Sequence, residues 1–129
     1  MTSMKQKVFS AEANPPLPVY SQAIISKGFV FVAGNVGCDR NLKLVEGGIK
    51  AETVPALENI RKVLKAAGTT IDNVIKVNIF LSNFDDFQAM NEVYQEYFNP
   101  ESMPARTCVQ VAVLPLKAAV EIECTAALP

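Results

Sequence analysis

The sequence predicts an α+β fold: one mixed β-sheet with two helices packed on the same face. Two observations carry this reading. Two segments with apolar residues at helical spacing are separated by a segment with strand alternation, giving the order β-β-α-β-α-β-β. Hairpin patterns at both ends of that order suggest one mixed sheet with both helices on one face. The chain has 129 residues, half of them hydrophobic, which is one domain spanning 1–129 with enough apolar material for a core.

The elements follow in chain order. A short additional strand fits "KQKVF", and the prolines of "NPPLPVYSQA" favour an extended entry and exclude helix. "AIISKGFVFVAG" reads as two strands joined by a turn at Ser26-Lys27-Gly28, and the glycine-rich, polar "NVGCDRNLKLVEGG" reads as a loop. A helix is predicted over about 50–67, with Val54, Leu57, Ile60, Val63, Leu64 and Ala67 as its stripe and Gly68 as its stop. Pro55 must lie in its first turn or bend it. "NVIKVNIFLS" is a strand with Ile75, Val77, Ile79 and Leu81 on one face. The second helix lies in "NFDDFQAMNEVYQEYFNP": Asn83 caps it, Asp85 and Asp86 suit its positive end, and Asn99-Pro100 stops it. Phe87, Met90, Tyr94, Tyr97 and Phe98 form its stripe, which Asn91 interrupts.

The last two strands are "PARTCVQVAVLP" and "AVEIECTAA". In the first, Thr107, Val109, Val111 and Val113 alternate as a core face, opposite Arg106, Cys108 and Gln110. In the second, Val120, Ile122, Cys124 and Ala126 oppose Glu121 and Glu123. The expected uncovered face of the sheet then carries Arg106, Cys108, Glu121 and Glu123, and is the place for a site or a subunit interface. If these strands form a hairpin, Glu121 lies opposite about Val113. That is seven residues, or ~23 Å, from Arg106, so the two could share a substrate only across a subunit boundary.

Composition narrows the chemistry. Twelve basic and thirteen acidic residues leave a net charge of −1, with no Lys/Arg-rich run, so the electrostatic footprint of a nucleic-acid binder is missing. Mean hydropathy of +0.18 is high for a small monomer, and sister subunits would cover part of the apolar surface. No apolar stretch is long enough to span a membrane, and "MTSMKQKVFS" carries no apolar signal region. The expected location is the cytoplasm, with mitochondria not excluded. Cys38, Cys108 and Cys124 are odd in number and widely spaced, which argues against a disulfide framework or a zinc site. There is no histidine, so the commonest general base and metal ligand are missing.

Several residues have both a structural and a chemical reading. Arg106 is either a solvated strand end or a fork for a planar carboxylate. Glu121 is either wet or a base that positions water. Cys108, with no histidine to activate it, is a small packing group before it is a nucleophile. Tyr20 would pack with a wet hydroxyl, and Asn91 on an apolar stripe needs hydrogen-bond partners if buried.

Together these residues coincide with a family. "PARTCVQVAVLP" followed by "VEIECTA" resembles the C-terminal signature of the Rid proteins, also called YjgF or L-PSP proteins: P-A-R-[ST]-x-[VA]-x-V-x-x-L-P and then an E-[IM]-E strand. "PVYSQAI" is similar to the family's P-Y-[SV]-Q-[AG] entry, and "VAGNVG" stands where a [ST]-[SG]-G-Q-[ILV]-P loop is usual. "NVIKVNIFLSNFDDFQAMNEVYQEYF" looks like its central strand and helix, so the resemblance covers almost the whole chain. It implies a chorismate-mutase-like α+β fold, a homotrimer with sites between subunits, and hydrolysis of 2-imino acids released by pyridoxal-phosphate dehydratases. It implies that Arg106 binds the substrate carboxylate and Glu121 holds and activates the water. The backbone of Cys108 would touch substrate, and Tyr20, Gly34 and Asn91 would line the pocket. No cofactor or metal is called for. Ala33 and Asn35 depart from the usual Ser or Thr and Gln, and Val19 stands where the family places Pro, with Pro18 one step earlier. Two alternatives stand beside this reading: an endoribonuclease that inhibits translation, and a non-catalytic protein that binds small carboxylates or acts as a holdase.

Overall fold

Alternation builds the sheet. The computed structural model describes residues 4–129 and contains six strands: β1 (Gln6–Val8), β2 (Ala23–Ser26), β3 (Phe29–Val36), β4 (Val74–Leu81), β5 (Ala105–Gln110) and β6 (Val120–Ala127). They form one sheet in the order β1-β2-β3-β6-β4-β5, in which only the β4–β5 pairing is parallel. The β2–β3 hairpin turns on Lys27 and Gly28, with φ of 51° and 84°. Positive φ at both central residues matches the right-handed twist of the flanking strands.

Helix α1 (Ile49–Ala67) connects β3 to β4, and α2 (Phe87–Tyr94) connects β4 to β5. Leu57, Ile60, Val63 and Leu64 of α1 and Met90 and Tyr94 of α2 bury into one cluster with Val30, Val77, Ile79, Ile122 and Cys124. Both helices therefore cover the same face of a mixed sheet, as predicted. Gly68 ends α1 at φ 95°, its N–H directed to the carbonyls of Leu64 and Lys65. Asn83 accepts from the Asp85 N–H at 2.9 Å and caps a 3₁₀ turn, Phe84–Asp86, that leads into α2.

The differences from the sequence reading have identifiable causes. β3 continues to Val36, so Asn35 is strand rather than loop. Pro55 lies in the second turn of α1, and Val54 is exposed rather than in the apolar stripe. A register shift between Val74 and Lys76 makes Ile75 an extra residue of β4; it turns out to solvent while Val74 takes the buried place.

The larger correction concerns the C-terminal strands. They are not a hairpin: β6 inserts between β3 and β4, and β5 lies beyond β4 at the sheet edge. The cross-strand pairs Val77–Arg106 and Ile79–Cys108 put Arg106 and Cys108 on the helix-covered face, while Thr107 and Val109 lie on the open one. The predicted faces of β5 are thus reversed. Glu121 and Glu123 lie on the open face as expected, opposite Val120, Ile122, Cys124 and Ala126. Phe29, Phe31 and Val109 are exposed on that open face, so both faces of the sheet carry large apolar residues. Alternation defines two faces but not which one the helices cover, and β-branched residues suit either.

Candidate functional site

The structure divides the six candidate residues into two groups. The first surrounds Arg106 at the sheet edge. Its guanidinium carbon lies 4.8 Å from the ring centroid of Tyr94 and 5.6 Å from that of Phe87, within cation–π range of both. Nη1 donates to Asn91 Oδ1 at 2.6 Å. Phe87, Asn91 and Tyr94 are spaced i, i+4, i+7, so one face of α2 supplies both rings and the amide. Asn91 thereby finds the partner its place on an apolar stripe required. Among the described residues Arg106 forms no ion pair. It is a held, half-buried cation with the rest of its fork available to an anion. Cys108, two residues on, packs against the core, and burial pushes its thiol pKa up.

The second group surrounds Glu121. A cavity of about 180 Å³ at the far end of β3 is lined by Tyr20, Ala33, Gly34, Leu116 and Glu121. Burial, and then the charge of Glu123, raise the Glu121 pKa above its ordinary value of 4.5. That moves a carboxylate toward the range where it takes up and releases protons near neutrality. Gly34 lets this carboxylate approach: a Cβ built at Gly34 would lie 2.7 Å from Glu121 Oε2. Asn35 donates to the Ala33 carbonyl at 2.8 Å and accepts from Asn59. Asn59 in turn accepts from the Asn14 N–H at 2.7 Å, and Gln22 donates to the Asn14 carbonyl at 2.8 Å. These amides fasten the proline-rich entry segment, and with it the cavity wall, to α1 and β3.

Arg106 and Glu121 do not meet within one protomer. Arg106 pairs with Val77 and Glu121 with Phe80, three residues apart along β4 and on strands two spacings apart. At ~3.3 Å per residue and ~4.8 Å per strand, their backbones are ~14 Å apart, with the side chains on opposite faces. The sheet order, with β4 between β6 and β5, separates the two residues, not a hairpin as expected. Phe87 and Tyr94 were missed as site residues because aromatic residues at helical spacing read as core. The signal was their spacing about Asn91, the polar interruption of that stripe.

Among the described residues no cluster of three or more His, Cys, Asp or Glu could hold a metal ion, and no helix is long and apolar enough to cross a membrane.

Comparison with known proteins agrees with this architecture. The family model described as Endoribonuclease L-PSP matches residues 11–128. A Drosophila melanogaster protein named RutC family protein UK114 is 45% identical over 126 residues, covering 97% of this chain and 91% of that protein. A Capra hircus protein named 2-iminobutanoate/2-iminopropanoate deaminase is 41% identical over 128 residues, covering 98% and 93%. The crystal structure of Escherichia coli TdcF with bound serine superposes with a TM-score of 0.88 at 28% identity, covering 96% of this chain and 99% of that one. Sequence matches over nearly the whole chain and the structural superposition agree, and the chain belongs to the Rid family, also called YjgF or L-PSP.

Proposed function

We propose that this protein hydrolyses 2-imino acids to 2-keto acids and ammonia, in sites that form where copies of the chain meet. The observation that carries the reading is the pair of complementary half-sites. Each protomer presents, at the edge of its sheet, a cation with no ion-pair partner among the described residues, and on the other face a pKa-raised carboxylate that lines a cavity. In a head-to-tail arrangement each copy supplies the missing half to the next, and a cyclic homotrimer closes the set. The exposed Phe29, Phe31 and Val109 supply apolar surface for that contact. The relative named 2-iminobutanoate/2-iminopropanoate deaminase and the serine-bound TdcF support a small amino-acid-like substrate.

The Arg106 fork, steadied by Asn91 and the rings of Phe87 and Tyr94, clamps the substrate carboxylate. Glu121 of the neighbouring copy accepts a proton from water as the water oxygen bonds to C2 of the imine. That proton passes to the substrate nitrogen. Glu121 then takes the hydroxyl proton of the tetrahedral intermediate and delivers it to the amino nitrogen, so that the C–N bond breaks, ammonia leaves and the keto group forms. An imine is already electrophilic, so fixed geometry and one proton carrier suffice. The Cys108 thiol, held protonated by burial, takes no covalent part, and its backbone is left to touch substrate.

Ribonuclease activity is the second reading, carried by the name of the matching family. One experiment addresses both. Arg106→Ala and Glu121→Ala proteins, each strongly impaired, are unfolded and refolded together and supplied with threonine plus a threonine dehydratase. Random cyclic trimers should regain roughly a quarter of wild-type sites, because each site draws one residue from each neighbour. No regain, with mixed trimers confirmed by native mass spectrometry, would place the two residues' roles within one chain. RNA cleavage by wild type without imine hydrolysis would favour the second reading.

A further inference from the structure

Among the described residues Glu52, in the first turn of α1, is the only buried charged side chain, and the reaction above gives it no task. It is 5% exposed. Its Oε1 accepts a hydrogen bond from the Ala119 N–H at 2.8 Å. The Ala119 carbonyl accepts from the Ser82 N–H at 3.1 Å, so the residue that leads into β6 is held from two sides. Two residues before it the chain does something unfavourable. Leu116 and Lys117 both have positive φ, 60° and 57°, in the left-handed region that costs a side-chain-bearing residue energy. Such conformations persist where the surroundings over-determine them, and they gather at functional sites. Pro115 and Leu116 of this turn line the same cavity as Glu121, which stands two residues after Ala119. Gly37, just past the end of β3, presses on the backbone of Glu52: a Cβ there would come within 2.3 Å of the Glu52 carbonyl oxygen.

We propose that Glu52 is a positioning residue for the Glu121 site: its carboxylate oxygen pins the turn over 115–119 and so sets where β6 presents Glu121 and how Leu116 bounds the cavity. The inference rests on the reading of Glu121 as the proton carrier. What the turn needs from residue 52 is an acceptor rather than a charge. Burial, followed by the charge of Asp86, raises the Glu52 pKa, which marks the charge as a cost of the arrangement, and a glutamine would supply the same oxygen without it.

The test compares Glu52→Met, which keeps the length but has no comparable acceptor, with Glu52→Gln. Turnover of a dehydratase-generated imine is measured together with the titration of Glu121 by carboxyl ¹³C NMR. Glu52→Met should lower kcat about tenfold or more, since small misplacements of a reacting group are costly, and leave KM within about twofold. It should also shift the Glu121 titration. Glu52→Gln should stay within about twofold of wild type on each measure. Ala119→Pro deletes the donor instead of the acceptor and should reproduce the loss, which keeps the question decidable if Glu52→Met does not fold. A folded Glu52→Met with wild-type kcat and an unmoved Glu121 titration overturns the proposal, as does a Glu52→Gln as impaired as Glu52→Met. If wild type hydrolyses no imine, the assignment of the reaction fails, and the Glu121 titration still decides the role of Glu52.

Discussion

Gly34→Ala isolates the placement of the Glu121 carboxylate from everything else in the protein. Gly34 does not have positive φ, so alanine brings no backbone strain, and the three atoms nearest its side chain would all belong to Glu121. The new methyl carbon would stand 2.7 Å from Oε2, 2.8 Å from Cδ and 3.1 Å from Cγ of Glu121. Ordinary van der Waals contact begins at 3.4 Å, so the carboxylate must retreat by about 0.7 Å, the difference between 3.4 and 2.7 Å. A displacement approaching 1 Å at a reacting group costs up to about a hundredfold in rate. The expected loss in kcat is therefore about ten- to a hundredfold, or ~1.4–2.8 kcal/mol of barrier. The melting temperature should move little, because the carboxylate can swing toward solvent without opening the core. The assay is ammonia and keto-acid release from an imine generated in place by threonine dehydratase, run on Gly34→Ala, Glu121→Ala and the double variant. With the carboxylate gone the methyl has nothing to displace, so the double variant should match Glu121→Ala. Full kcat in Gly34→Ala, or losses that add in the double variant, would refute the claim that Gly34 acts through Glu121.

Two further predictions concern the Arg106 half-site. Arg106→Lys should fail nearly as badly as Arg106→Ala, with a loss on the order of 2–4 kcal/mol of transition-state stabilisation, because Lys keeps the charge but not the fork; near-normal kcat/KM would remove carboxylate clamping from the mechanism. Tyr94→Phe should be neutral or stabilising by up to ~1–3 kcal/mol in chemical denaturation, since the buried Tyr94 hydroxyl has no hydrogen-bond partner among the described residues. Its pKa, pushed up to about 12 by burial, keeps it protonated at neutral pH, and the ring beneath Arg106 is retained, so kcat should be unchanged; a large drop in kcat would show that the hydroxyl itself touches substrate.

The sequence by itself determined the element order, the class of fold and the residue types available for chemistry. Strand alternation and helical stripes survive translation into structure because burial of a periodic apolar face is a local property of each element. Hence Val120, Ile122, Cys124 and Ala126 were legible as the inner face of β6, and Glu121 and Glu123 as its outer face. The C-terminal motif made Arg106 and Glu121 candidates before any geometry was available. Tertiary structure alone decided how the elements neighbour one another. β6 takes the centre of the sheet and β5 its edge, because α2 returns the chain parallel to β4 and leaves β6 to fill the gap beside β3. That order, invisible to periodicity, reverses the reading of β5. It turns Arg106 toward the rings of α2 and puts Glu121 on the opposite side of the sheet. The bond from Glu52 to Ala119 links residues 67 positions apart in the chain. A pattern confined to one element cannot encode such a contact, since it exists only once β6 has docked against the first turn of α1.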